Sequence, residues 1–219
     1  MSTELSTRQA TPADIPFLAR IEYEACLPPD GHCFWDELLV DTGTATLDFI
    51  AAKLKADASN WGRVEEFLIL EEQGQPIAAA AGYCPNGADY RPLKLSALEQ
   101  LAQELGWSSQ TRQQFYERYE QFWQLDPQMT YLQPQAPWLI ETVAVLPEGR
   151  GRGLGKALLR AMLDWGRSQH HSHAGIMIIN GNEAARRTYE SVGFKPYQTF
   201  YSDYFDDTFV GITKFRCCL

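Results

Sequence analysis

The period of apolar and polar positions changes several times along this chain, and each change predicts an element. Residues 7–10 read as a short first strand. Thr11-Pro12-Ala13-Asp14 then reads as a helix start. Threonine caps, proline suits the first helical position, and aspartate favours the first turn. Ile15, Leu18, Ala19 and Ala25 supply an apolar stripe that Pro28-Pro29-Asp30-Gly31 ends. A second helix is predicted over residues 44–55, with Leu47, Ile50, Ala51 and Leu54 on one face. Apolar runs at 67–70 and 77–81 flank Glu72-Gln73-Gly74-Gln75, which is a hairpin signal.

Residues 93–137 interrupt the strand pattern. Ser96 and Glu99 have capping-box spacing, and Leu98, Leu101, Ala102 and Leu105 follow at helical spacing until Gly106. A further helix carries Phe115, Tyr119, Phe122 and Trp123 and is expected to end near Asp126-Pro127. Each of these two helices has one apolar stripe to bury, so the segment reads as a two-helix insertion rather than an independent unit. Residues 138–146 are nearly all apolar, as expected of a central strand covered on both faces. Pro147-Glu148-Gly149 ends that strand, and a glycine-rich turn follows. Leu154, Ala157, Leu158, Ala161, Met162 and Trp165 then share one helical face. Residues 175–180 form another short apolar strand, Asn182 caps a helix running to Gly193, and residues 194–201 and 209–215 predict two closing strands. The expectation is one α/β domain over residues 1–219, with the helical insertion at about 93–137.

Composition narrows the function classes. The net charge is −9, which disfavours an extended nucleic-acid footprint and permits a cationic substrate. No stretch approaches the roughly 20 apolar residues needed to cross a bilayer. Residues 1–10 are polar, without a secretory h-region, so the expected compartment is the cytoplasm. Cys26, Cys33, Cys84, Cys217 and Cys218 have neither disulfide-framework nor zinc-ligand spacing. His170, His171 and His173 cluster where a helix ends, a place that suits cationic side chains, and no metal is expected there.

The chemistry sits in Arg150-Gly151-Arg152-Gly153-Leu154-Gly155-Lys156. A buried strand runs into a basic, glycine-rich turn that opens a helix. Free backbone N–H groups at the positive end of a helix dipole make an anion site. Glycines let backbone approach the anion closely, and the arginines add charge. The spacing is not that of a Walker A loop, because Lys156 is followed by Ala157 and position 150 is arginine. Nor is it G-x-G-x-x-G, because Lys156 and Leu154 stand where the third glycine would fall. A flexible turn that merely packs tightly is the competing reading of this loop.

Arg150-x-x-Gly153-x-Gly155 after a strand resembles the coenzyme-A signature of the GNAT acetyltransferases. Asn182-x-x-Ala185-x-x-x-Tyr189-x-x-x-Gly193-Phe194 resembles a second element of that family, in the correct order. The resemblance covers residues 138–195. It implies a GNAT fold: a central mixed, mostly antiparallel sheet flanked by helices. It also implies acetyl-CoA as co-substrate and direct attack by an amine on the thioester. The two-helix insertion departs from the short connection usual before the family's central strand.

The resemblance further implies that the pantetheine arm and thioester pair with backbone near Val143 and Val145, where a donor would stabilise the oxyanion. Glu141 is the one charge in the apolar strand, and burial would raise its pKa toward that of a general base. A salt bridge or a solvent-open strand face is the alternative for Glu141. Tyr189 stands at the family's general-acid position; a packed helix tyrosine is the alternative. Asn182 has two roles open to it, capping its helix and contacting the coenzyme; Arg186 or Arg187 could meet a phosphate, with solvated helix arginines as the alternative that keeps them off the expected site. Tyr201-Ser202-Asp203-Tyr204-Phe205-Asp206-Asp207 and Phe34-Trp35-Asp36-Glu37 are candidate acceptor walls, with an ordinary hairpin turn carrying solvated aspartates as the favoured alternative for the first. The acceptor remains open between a small amine, a polyamine, an aminoglycoside and a protein amino group. Also open are a non-catalytic acyl-CoA sensor, a transferase of another acyl group, and a homodimer formed through the insertion.

Overall fold

The computed structural model describes residues 4–85, 87, 89–124 and 130–219. In chain order it contains β1 (Leu5–Gln9), α1 (Ile15–Cys26), α2 (Phe34–Leu38), α3 (Thr46–Lys55), β2 (Phe67–Glu72) and β3 (Gln75–Tyr83). There follow α4 (Leu98–Glu104), α5 (Ser109–Trp123), β4 (Trp138–Val145), α6 (Leu154–Ser168), β5 (His173–Ile179), α7 (Glu183–Glu190), β6 (Lys195–Phe200) and β7 (Ile212–Cys218). The strands form one seven-stranded sheet in the order β1-β2-β3-β4-β5-β7-β6. Only β4 and β5 are parallel; the other neighbours are antiparallel.

The expected elements are present, with local differences that have physical causes. A 3-10 turn at Pro12–Asp14 precedes α1, and the Asp14 carboxylate accepts from the Thr11 N–H at 2.8 Å. The short helix α2 was not expected, because five residues are too few to show a period. Asp36 and Glu37 in its first turn favour the dipole. The Ser96–Glu99 capping box is not used: a 3-10 turn at Leu95–Ala97 leads into α4, and Ala97 stands at its N-cap. Helix α7 stops at Glu190 rather than Gly193; residues 191–193 tighten into a turn, with Gly193 at φ +103°. The expected end of α5 at Asp126-Pro127 lies outside the described residues.

Strand β3 lies between β2 and β4, and Ala78, Ala79, Ala80 and Ala81 are fully buried. Small side chains there let helices approach both faces of the sheet closely. Helix α6 packs on β2, β3 and β4, while α1 packs on β3, β4 and α3. Gly82 is one position where the packing leaves no room for a side chain. A Cβ there would overlap the Trp138 ring and come within 2.8 Å of Met162 Cε. Gly82→Ala is therefore expected to lower stability by about 1–3 kcal/mol through overpacking, which urea denaturation would read.

The insertion joins the main core instead of forming its own. Phe115, Tyr119 and Trp123 on α5 are buried, and their rings meet Trp107, Phe49, Trp35 and Phe34. The Tyr119 hydroxyl accepts from the Leu93 N–H at 3.0 Å, and Arg91 bridges Asp89 to Glu120 on α5. Most of the insertion's rings thus turn inward, while Tyr116 stays exposed. No described helix is long and apolar enough to cross a membrane.

Candidate acyl-transfer site

Strands β4 and β5 pair only at Trp138↔Ala174 and Leu139↔Gly175, then separate. Two features accompany the separation. Gln135, just before β4, donates to the carbonyls of Ile176 at 3.0 Å and Phe215 at 3.2 Å. On its other side β4 carries a bulge. Ala81 faces Glu141 and Ala79 faces Ala144, so three steps on β4 oppose two on β3. Thr142 takes up the extra residue at φ +56°. Beyond the bulge the Leu146 N–H bonds to Ile77 on β3. By alternation along the strand, Val143 and Val145 turn their backbone groups toward the open side.

A cavity of about 790 Å³ fills the opening, walled by residues 140–145 of β4 and 176–179 of β5. Its far end is the glycine-rich turn. Gly151 and Gly153 have φ of +76° and +79°, and a Cβ on either would point into open space. Gly153 is the N-cap of α6, so the N–H groups of Leu154, Gly155 and Lys156 lack intrahelical partners. Arg150 is fixed at this end by Glu24 at 2.6 Å and by the Val145 carbonyl at 3.1 Å. The turn has the donor set and the helix dipole that a pyrophosphate requires.

Of the residues singled out in the sequence, Glu141, Val143, Val145, Arg150, Gly151, Gly153, Leu154, Gly155, Lys156, Asn182 and Tyr189 all line this cavity. Arg152 does not. Its guanidinium turns away to the Glu72 carboxylate on β2, 2.9 Å from Oε2. Asn182 caps α7, its Oδ1 accepting from the Ala185 N–H at 3.1 Å. Arg187 lines the cavity, whereas Arg186 lies over the Phe215 ring. Phe34 reaches the cavity wall, but Trp35 is in the core and Tyr201–Asp207 line neither this cavity nor its neighbour.

Glu141 stands where the large cavity meets a second, of about 60 Å³, lined by Asn60, Trp61, Tyr83, Asp89, Tyr90 and Met177 among others. Burial pushes its carboxyl up to about 8, and the Lys214 charge pulls the other way. Burial likewise lowers Lys214 to about 8, against the pull of Glu141; its ammonium donates to the carbonyls of Thr130 and Gln133 at 3.0 and 2.7 Å. Burial, then the Glu141 charge, raise the Tyr189 phenol well above its ordinary value, so it stays protonated. Lys214, Trp61 and Trp123 were missed in the sequence. Lys214 gave the same signal as Glu141, a charge inside an apolar strand; the two tryptophans gave none.

An opened strand edge, an anion-binding helix start and a buried carboxylate between two cavities define the layout of an acyl-CoA-dependent N-acyltransferase. The chain belongs to the acetyltransferase (GNAT) family, whose model matches residues 34–194. Solved structures share the fold. An N-acetyltransferase from Staphylococcus aureus Mu50 is 20% identical, with 98% of this chain and 100% of that one covered at a TM-score of 0.54. A putative acetyltransferase from Salmonella typhimurium, solved with acetyl-CoA, is 19% identical over 98% and 94% of the two chains at 0.52. A ribosomal-protein-alanine N-acetyltransferase from Brucella melitensis is 18% identical over 98% and 99% at 0.53. No protein of curated function matches the sequence.

Proposed function

We propose that the protein transfers the acetyl group of acetyl-CoA to an amine by direct attack, with Glu141 as general base and Tyr189 as general acid. The position of Glu141 at the junction of the two cavities carries this reading. The larger cavity suits an acyl-CoA, and the smaller suits the reacting end of an acceptor. Acetyl-CoA supplies an activated thioester; the rest is done by the chain. N–H groups of residues 151–156 hold the pyrophosphate, with Arg150, Lys156 and Asn182 beside it. Backbone groups of Val143 and Val145 align the pantetheine arm and supply a donor to the thioester oxygen. Glu141 takes a proton from the incoming nitrogen as the C–N bond forms. Tyr189 gives its proton to the sulfur as the C–S bond breaks. On this reading the chain works as one domain, with the insertion covering the acceptor end.

Thiol release from acetyl-CoA against a panel of primary amines tests the proposal. Amine-dependent release is expected. Tyr189→Phe is expected to lower kcat by about 10²-fold or more, with acetyl-CoA affinity unchanged. Full activity in Tyr189→Phe would return that residue to packing against Phe194 and Phe215.

A further inference from the structure

We infer that Tyr83, at the end of β3, is a second polar group on the acceptor nitrogen, and that with Glu141 it selects primary over secondary amines. The inference rests on the amine-acetyltransferase reading above. Strand register brings the two side chains together. Tyr83 pairs with Leu139 and Ala81 with Glu141, so Tyr83 and Glu141 are diagonal neighbours on one face of the sheet. Such neighbours have Cβ atoms up to about 7–8 Å apart, within reach of an aromatic and a long side chain. Tyr83, Leu139 and Glu141 all line the smaller cavity. Tyr83 is 7% exposed, and its hydroxyl has no hydrogen-bond partner among the described residues. That oxygen is not sealed in: among those residues the one side-chain polar atom both closed off and without a partner is the Trp123 Nε1. A buried tyrosine hydroxyl ordinarily finds a partner. Here it keeps accessible surface on a residue that lines the cavity, where a bound amine would supply the partner. Burial, then the charges of Glu141 and Glu66, raise the Tyr83 phenol well above its ordinary value, so it stays neutral beside the carboxylate.

Asn60, Trp61 and Asp89, also around this cavity, are engaged elsewhere. The Asn60 amide donates to the Arg91 carbonyl at 2.9 Å, and Arg91 holds both oxygens of Asp89, at 2.9 and 2.8 Å. The Trp61 Nε1–H donates to the Tyr90 carbonyl at 2.8 Å. Trp61 also lines the larger cavity, where the rings of Trp123 and Phe34 continue its wall. A neutral primary amine brings one lone pair and two N–H groups. The lone pair forms the C–N bond, and the C–S bond breaks as Tyr189 protonates the sulfur. One N–H proton passes to Glu141. The second hydrogen stays on nitrogen and becomes the amide N–H of the product. The Tyr83 oxygen accepts that N–H from attack through to product. A secondary amine has a carbon in its place. It leaves the phenol oxygen unpaired in a buried site, and its extra carbon meets that oxygen.

The experiment uses the full chain with acetyl-CoA and two matched pairs of acceptors: butylamine with N-methylbutylamine, and 2-phenylethylamine with its N-methyl derivative. Recognition at the nitrogen applies to any body that reaches the cavity, so simple amines suffice. The wild type is expected to favour each primary amine by at least roughly 100-fold in kcat/KM. Tyr83→Phe keeps the ring and removes only the oxygen. It is expected to reduce that preference by about tenfold in both pairs, with acetyl-CoA affinity by calorimetry unchanged. Because the hydroxyl makes no bond to the described residues, urea denaturation should find the variant as stable as the parent. An unchanged preference in Tyr83→Phe overturns the inference and leaves the acetyltransferase reading standing. So does acetyl-CoA binding with neither primary amine consumed. Equal use of primary and secondary amines by the wild type overturns it without recourse to the variant. A variant that loses acetyl-CoA affinity and keeps the preference would assign the phenol to the coenzyme, and its role on the acceptor falls. Absence of acetyl-CoA binding by the wild type would remove the underlying reading itself.

Discussion

Glu141→Gln is expected to lower kcat by about 10²–10⁴-fold while leaving acetyl-CoA affinity almost unchanged. The amide keeps the shape of the side chain at the junction of the cavities but cannot accept the proton of the attacking amine. The pH profile should carry the same signature. Because burial holds the Glu141 carboxyl up at about 8, it is largely protonated at neutrality and gains its basic form as pH rises through that value. With an acceptor whose own pKa lies well below neutrality, kcat/KM should climb with pH to about 8 and then level. Glu141→Gln should flatten that limb. Lys214 opposes the upward shift, so its removal would move the limb to higher pH. A variant with intact turnover, or a wild-type profile flat from pH 6 to 9, would strip Glu141 of its role (about two units on the acid side of its midpoint give a hundredfold change).

Lys53→Met should lower stability by about 3–5 kcal/mol, as read by urea or thermal denaturation. Lys53 on α3 is 1% exposed, and its ammonium lies 2.7 Å from Oε1 of Glu22 on α1, itself buried. The same oxygen accepts from Trp35 Nε1 on α2 at 3.0 Å, and the Lys53 ammonium lies over the Trp35 ring. Removing the ammonium strands a carboxylate among apolar side chains, and most of the cost comes from that charge rather than from the lost bond. Glu22→Gln combined with Lys53→Met keeps an acceptor for Trp35 and should recover much of the loss. If Lys53→Met is as stable as the parent, the pair does not hold α1, α2 and α3 together as argued.

Local signals explain which parts of the molecule could be read from sequence. The turn at 150–156 and the Asn182 cap were legible because each depends on neighbours within a few residues: glycines at special φ, an amide three residues from the N–H it receives. Glu141 was legible because an apolar strand makes one charge conspicuous. Arg152 was misplaced because sequence gives an arginine's position but not its direction, and Glu72, the partner that turns it away, is 80 residues distant. The ring wall was illegible for a related reason. Phe34, Trp61 and Trp123 come from three separate segments, and their convergence depends on how the insertion docks on α2 and α3. Helical spacing alone reads Trp123 as core, and by burial it is.

The extra residue at Thr142 can be regarded as a dislocation in the sheet. In a regular strand Glu141 would share a face with Val143 and Val145; with one residue of excess length its side chain shares a face with Ala144 instead. The defect lies where β4 has already parted from β5, so it disturbs a ladder on one side only. Two adjacent stretches of one strand therefore run out of phase, the upstream one presenting an acid and the downstream one presenting bare backbone. The sheet forgoes the hydrogen bonds that continued β4–β5 pairing would have made. Stability and substrate access thus compete for the same row of peptide groups, and in this fold the open edge has been kept at the expense of a closed one.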